Sequence, residues 1–63
     1  MWKVIAADDE PFIREALKEM IPWGELGCHL AETLKNGKEV VNAVEKYKPD
    51  IVILDIHVSY THL

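Results

Sequence analysis

Two aliphatic runs constrain this chain more than any other feature. Residues 3–7, "KVIAA", carry no charge after Lys3, and residues 51–54, "IVIL", are rich in β-branched side chains. Neither alternates polar with apolar residues. A strand with one wet face alternates with period two, whereas a strand covered on both faces is continuously apolar, as in a parallel sheet. Each run also stops at acid: Asp8 and Asp9, followed by Glu10, after the first, and Asp55 after the second.

The sequence between the runs supplies the covering layers. The first run is strand β1 (residues 3–7). From Pro11 to Ile21 the apolar residues Phe12, Ile13, Ala16, Leu17, Met20 and Ile21 draw one helical stripe, predicting helix α1. Pro11 suits a first helical turn, where its missing N–H costs nothing, and Pro22 with Gly24 ends the helix. "WGELG" reads as a loop, and "CHLAETL" (residues 28–34) as strand β2. "NGKE" resembles a capping box, with Asn36 as N-cap and Glu39 at the third helical position. Val40, Val41, Val44 and Tyr47 continue it as the buried stripe of helix α2, which Pro49 closes before strand β3 (residues 51–54). Strands alternating with helices predict an α/β fold whose parallel strands are joined by right-handed crossovers.

Composition narrows the functions open to such a chain. With 63 residues it forms one domain at most, and a core of that size is marginal. The lone Cys28 cannot make an internal disulfide, and its neighbours offer nothing to activate a thiolate. His29, His57 and His62 lack the spacing of ring ligands to a metal. The N-terminus "MWKVIAADDE" has no signal-peptide pattern, and no apolar run reaches the ~20 residues of a membrane span. These features predict a cytoplasmic location without a membrane partner. A net charge of −4 gives no electrostatic footprint for nucleic acid.

The acidic residues then acquire a place. In open parallel sheets, ligands bind beyond the carboxyl ends of the strands, near a topological switch point. If β1 and β3 are neighbours, Asp8, Asp9 and Asp55 converge there, since adjacent strands lie ~5 Å apart. Three such carboxylates repel one another without a cation and suit a hard divalent ion, Mg²⁺ above all. Acids before a helix are also favoured by capping and by the macrodipole, and Glu10 fits that plainer reading best. It is the joint placement at two strand ends that points to a site.

On these segments the chain resembles a family. "KVIAADDEPFIREAL" resembles the first strand, acidic pair and first helix of bacterial response-regulator receiver domains, and "NGKEVVNAVEKYKPDIVILDI" resembles their second helix and phosphorylated strand. The intervening "WGELGCHLAETLKNG" is similar to receivers joined to AraC-type helix-turn-helix output domains. The resemblance implies a truncated flavodoxin-like fold, β1-α1-β2-α2-β3 with parallel strand order 2-1-3. It implies that Asp55 accepts a phosphoryl group from a sensor histidine kinase. Asp9 matches a direct ligand of Mg²⁺, with Asp55 supplying another oxygen, and Asp8 matches the member that reaches the metal through water. His57 falls where the family uses a backbone carbonyl. The implied activity is that of a phosphorelay switch, not an enzyme with a separate turnover substrate, and the parent protein is expected to control transcription through an output domain.

The resemblance runs over roughly residues 2–57, so residues 1–57 are expected to form a partial receiver domain. Family members continue into elements that carry a hydroxyl residue and a lysine for the phosphoryl group. Here "VSYTHL" (residues 58–63) resembles one reading frame of a transposon end sequence used to prepare sequencing libraries, and is expected to be a non-native or frayed tail. Such a fragment would expose β3 as an edge and self-associate through it. The alternative function is a receiver-like interaction module that is not phosphorylated, or a fragment without function. A metal-dependent phosphohydrolase is disfavoured because His57 stands two residues after Asp55, where such enzymes commonly carry an aspartate. A nucleotide-binding half-domain is disfavoured because no glycine-rich loop follows β1.

Overall fold

A computed structural model describes residues 1–55. His57 and the expected tail of residues 58–63 lie outside the described residues. The order is β1 (Trp2–Ala7), α1 (Pro11–Met20), β2 (Cys28–Leu34), α2 (Gly37–Tyr47) and β3 (Ile51–Leu54). The three strands form one parallel sheet in the order β2-β1-β3. The expected α/β architecture and strand order are both present.

Strand β1 is central because both of its edges are hydrogen-bonded. Against β3 it pairs Val4 with Ile51 through Ala7 with Leu54 without a break. Against β2 the pairing runs from Trp2 with Cys28 to Ala7 with Leu34, with an irregularity after Val4 that leaves Ala31 unpaired. From β1 the chain moves to one side to reach β2, then crosses back over β1 to reach β3. Right-handed crossovers in opposite directions place α1 and α2 on opposite faces of the sheet. The alternation of a strand then gives each helix its own half of β1. Ile5 and Ala7 join Leu34, Val40 and Ala43 in the core under α2, with Ala31 and Tyr47 at its margin. Val4 and Ala6, equally buried, face the other way, toward α1.

The helix faces differ from their sequence stripes. In α2 the inward residues are Val40, Ala43 and, half-buried, Tyr47, while Val41 and Val44 are exposed. The spacing from Val40 to Ala43 to Tyr47 is that of one helical face, and Val41 lies a full residue step, about 100°, off it. In α1 no residue is fully buried: Ala16, Leu17 and the adjoining Ile21 are half-covered, but Phe12 is 77% exposed and Met20 is comparably open. Neither helix packs on β3, so Ile51–Leu54 are 38–44% exposed. The continuous apolar run in β3 predicted full cover on both faces, and among the described residues that cover is only partial.

The ends of the elements are fixed by local chemistry. Asn36 Oδ1 accepts the Glu39 N–H at 2.9 Å, as the capping box predicts. The reciprocal arm of the box goes one residue further back, with Glu39 Oε1 accepting the Lys35 N–H at 3.1 Å. α2 ends on Lys48 in the left-handed region (φ 49°), whose N–H reaches the Val44 carbonyl. The α1–β2 loop is a run of turns ending on Gly27 at φ 72°, a conformation that favours glycine. Trp23 pins that loop by donating its indole N–H to the Leu17 carbonyl at 2.9 Å, which satisfies one of the open carbonyls of the last turn of α1. At the opposite end of the sheet from the acidic residues, Lys3 and Asp50 are clasped both ways. Lys3 N–H donates to Asp50 Oδ2 and Asp50 N–H donates to the Lys3 carbonyl, each at 2.8 Å.

Candidate metal centre at the strand ends

Each acidic residue sits where the sheet hydrogen bonding runs out. The Asp8 N–H makes the last bond across to β2, to the Leu34 carbonyl at 2.9 Å. The Asp55 N–H makes the corresponding bond to the Ala7 carbonyl at 3.2 Å. Asp8 and Asp55 are thus held level, as the first residues beyond two neighbouring strands. Asp8, Asp9 and Asp55 each offer a carboxylate oxygen to a group whose members all lie within 4.8 Å of one another. Convergence of the three at the carboxyl edge of the sheet is what the βαβαβ frame predicts.

Their surroundings differ. Asp8 is buried, at 5% exposure, while Asp9 is exposed and Asp55 half-buried. Asp8 Oδ1 accepts the N–H of Glu10 at 2.9 Å, an Asx turn that bends the chain from β1 into α1. Glu10 occupies the N-cap position of α1, but its own side chain makes no capping bond. The plainer reading of the acidic run as helix capping therefore has no hydrogen bond behind it at Glu10. The capping-like contact belongs to Asp8.

The electrostatics record the crowding. The Glu10 N–H pulls the Asp8 carboxyl toward lower pKa. The Asp55 carboxyl beside it, burial, and the charges of Asp55 and Asp9 act the other way and prevail, so Asp8 titrates above its ordinary 3.8. Such a shift means that the described side chains leave negative charge at this point incompletely compensated.

The donor set suits a hard dication. All three groups are carboxylates, without sulfur or imidazole, which is the ligand chemistry of Mg²⁺ and Ca²⁺. Oxygens bound to one Mg²⁺ at about 2.1 Å stand no more than about 4.2 Å apart. A cluster within 4.8 Å meets that limit after a small side-chain rotation. The partial exposure of Asp9 and Asp55 leaves room for the waters that Mg²⁺ retains. The fourth ligand position expected from the sequence, the backbone carbonyl of His57, lies outside the described residues.

Two side-chain contacts, one at the site and one at the far end of the sheet, are not among the sequence expectations. Arg14 Nη1 donates to the Asp8 carbonyl at 2.8 Å, reaching back from the second turn of α1. Helical side chains lean toward the helix N-terminus, so a long cation one turn inside a helix that follows an acidic loop is the signal that could have found it. At the far end, Lys3 Nζ also reaches the Tyr47 carbonyl at 3.0 Å, closing the C-terminus of α2. Neither Cys28 nor His29 belongs to the acidic group.

An open parallel sheet wound by helices on both faces, with acidic side chains gathered beyond the central strand and its neighbour, defines a doubly wound α/β domain with its ligand end at the strand termini. The response regulator receiver domain family matches residues 4–61. The chain belongs to that family, the receiver domains of response regulators in two-component systems. It is 43% identical over 56 residues to the transcriptional regulatory protein HptR of Staphylococcus aureus, covering 89% of this chain. An uncharacterized response regulatory protein of Staphylococcus epidermidis, SERP2406, matches at the same identity and over the same length. The chain spans 22% of the length of each of these relatives. No helix among the described residues is long and apolar enough to cross a membrane.

Proposed function

We propose that this receiver domain takes a phosphoryl group on Asp55 in the presence of Mg²⁺, delivered by a sensor histidine kinase, and so relays a signal to an output domain. The observation that carries the reading is the gathering of Asp8, Asp9 and Asp55 oxygens within 4.8 Å in a chain of the receiver family.

The reaction assigns each residue a task. An oxygen of the Asp55 carboxylate attacks the phosphorus of a phosphohistidine. The new O–P bond forms as the P–N bond breaks, and the bonding pair leaves with the imidazole nitrogen. The end of β3, tied to β1 through the Asp55 N–H, would set the line of attack. Asp9 and Asp55 would hold the ion directly through their carboxylates, and Asp8, whose carboxylate is held by the Glu10 N–H, would support it through water. Mg²⁺ bound here supplies positive charge against the repulsion between these carboxylates and the incoming phosphoryl oxygens. Asp55 is consumed and regenerated as a switch, with no separate turnover substrate.

For the whole protein, the name of the Staphylococcus aureus relative supports control of transcription. The similarity of residues 23–37 to AraC-linked receivers supports a helix-turn-helix output domain. The sign and composition of the chain support no nucleic-acid contact by this segment itself, and a cytoplasmic location. The test is mass spectrometry after incubation with acetyl phosphate and Mg²⁺. A gain of about 80 Da that requires Mg²⁺ and disappears in Asp55→Asn is the expected result. Labelling that persists in Asp55→Asn, or that ignores Mg²⁺, would assign the chemistry elsewhere. A folded chain that takes no label would favour an interaction module without phosphorylation.

A further inference from the structure

We propose that Arg14 is a positioning residue of the acidic centre, aiming the Asp9 carboxylate at the metal by anchoring the Asp8 carbonyl. The inference rests on the Mg²⁺ site of the proposed function.

Asp9 is the least supported member of the cluster. Asp8 is fixed through its N–H, its carbonyl and its carboxylate, and Asp55 through its N–H. The exposed Asp9 carboxylate makes no hydrogen bond or ion pair among the described residues. Whether its rotamers can reach the cluster therefore depends on where the backbone places its Cβ. Two contacts define that backbone. The Arg14 guanidinium holds the carbonyl of the peptide before Asp9 at 2.8 Å, and the Asx turn from Asp8 Oδ1 holds the N–H of the peptide after it at 2.9 Å. With either released, the Asp8–Asp9 peptide can rotate and carry the carboxylate out of the cluster. Arg14 is itself half-buried and rooted in α1, its N–H bonded to the Glu10 carbonyl at 3.1 Å. A planar guanidinium is well suited to hold one carbonyl in one orientation.

Charge and positioning make opposite demands. As a cation beside a cation site, Arg14 weakens Mg²⁺ binding, so neutralising it would tighten the ion. As a holder of the Asp8 carbonyl, it strengthens binding, so removing it would loosen the ion. The sign of the change separates the two.

The experiment is calorimetric titration of Mg²⁺ into the chain, Arg14→Met and Arg14→Lys, with circular dichroism on each sample. Methionine keeps the apolar stem but has neither charge nor donor, and a loss of about tenfold in affinity is expected, the usual scale for removing a group that orients a metal ligand. Lysine keeps the charge and one donor but not the planar fork, and a smaller loss of about threefold is expected. Should Arg14→Met not fold, the lysine variant decides, because its unchanged charge leaves geometry as the only difference. Affinity equal to or tighter than the parent's in the folded variants overturns the proposal while leaving the Mg²⁺ site intact. Absence of Mg²⁺ binding by the folded parent overturns the site, and the role of Arg14 with it.

Discussion

The two sides of β1 are built to different standards. Toward β2 and α2, Ile5, Ala7, Leu34, Val40 and Ala43 form a closed core, and α2 is fixed at its start by Asn36 and at its end by Lys48. Toward β3 the same central strand meets a neighbour on which neither helix packs, and whose four aliphatic residues are all partly open. The hydrogen-bonded ladder is unbroken on this open side and irregular on the closed one. Backbone pairing and side-chain burial thus follow separate rules: a strand can be placed by its ladder and its end clasp without being covered. The acidic centre lies on the seam between the two sides, taking Asp8 from the covered strand and Asp55 from the open one.

The strongest way to break this contrast is to make the same substitution on each side. Ile5→Ala, in the closed core, is expected to cost about 2–5 kcal/mol, a large share of the stability of a chain of this size. Ile53→Ala, on the open strand, is expected to cost about 1 kcal/mol. Urea unfolding of both variants would check the ratio, and equal losses would mean that β3 is covered in solution.

Asn36→Ala tests the frame of the closed side at its edge. Losing the acceptor for the Glu39 N–H is expected to cost about 1 kcal/mol, measurable as a lower thermal midpoint. A neutral result would show that Glu39, through the Lys35 N–H, secures the helix start alone.

At the seam, pH provides the probe. Because Asp8 titrates above 3.8 in the folded chain, folding retains a proton there that the unfolded chain releases. Stability from this source is therefore full below 3.8 and falls as pH rises through the folded pKa. Asp8→Asn, which keeps an oxygen for the Glu10 N–H, should flatten that fall in the thermal midpoint measured without divalent ions. A profile untouched by the substitution would mean that the crowding is relieved by movement of Asp9 or Asp55.

The smallest effect concerns the exit from α2. Lys48 holds φ 49°, which a side chain disfavours and glycine does not. Lys48→Gly is expected to gain about 0.5 kcal/mol in urea unfolding. A loss instead would show that the lysine side chain contributes more than its backbone costs.

How far the sequence discloses this fold depends on the range of the forces involved. The β2 span and the N-cap at Asn36 rest on local residue patterns and capping chemistry and are legible. The strand order is expected only through the resemblance to receiver domains, because crossover handedness does not decide which strand β3 joins. The meeting of Asp8, Asp9 and Asp55 is legible once β3 is placed beside β1, since it follows from where strands end. The inward face of α2 is less legible because Val41 and Val44 outweigh Ala43 in hydrophobicity, although the small side chain is the one that fits against the sheet. The expected burial of Phe12 and Met20 in α1 fails among the described residues for a related reason: an apolar stripe records what a helix can cover, not what is there to be covered. Arg14 with the Asp8 carbonyl, Trp23 with the Leu17 carbonyl, and Lys3 with Asp50 join side chains to backbone across six residues or many more. Such contacts exist only once the chain path does, and of the three only Arg14, a long cation one turn inside a helix after an acidic loop, leaves a signal in the sequence.

The Lys3–Asp50 clasp acts as the zero mark of a ruler. Asp8 lies five positions after Lys3, and Asp55 five positions after Asp50. Two strands pinned at one end and cut to equal length must finish together, so the acidic edge is gauged from the far side of the sheet, beyond the reach of any ligand. One residue inserted into either strand would advance its carboxylate by about 3.3 Å and turn it to the other face, a larger error than a metal ion tolerates. Length in these two strands is consequently held as a matched pair: the sheet can add or lose a step only on both rails at once.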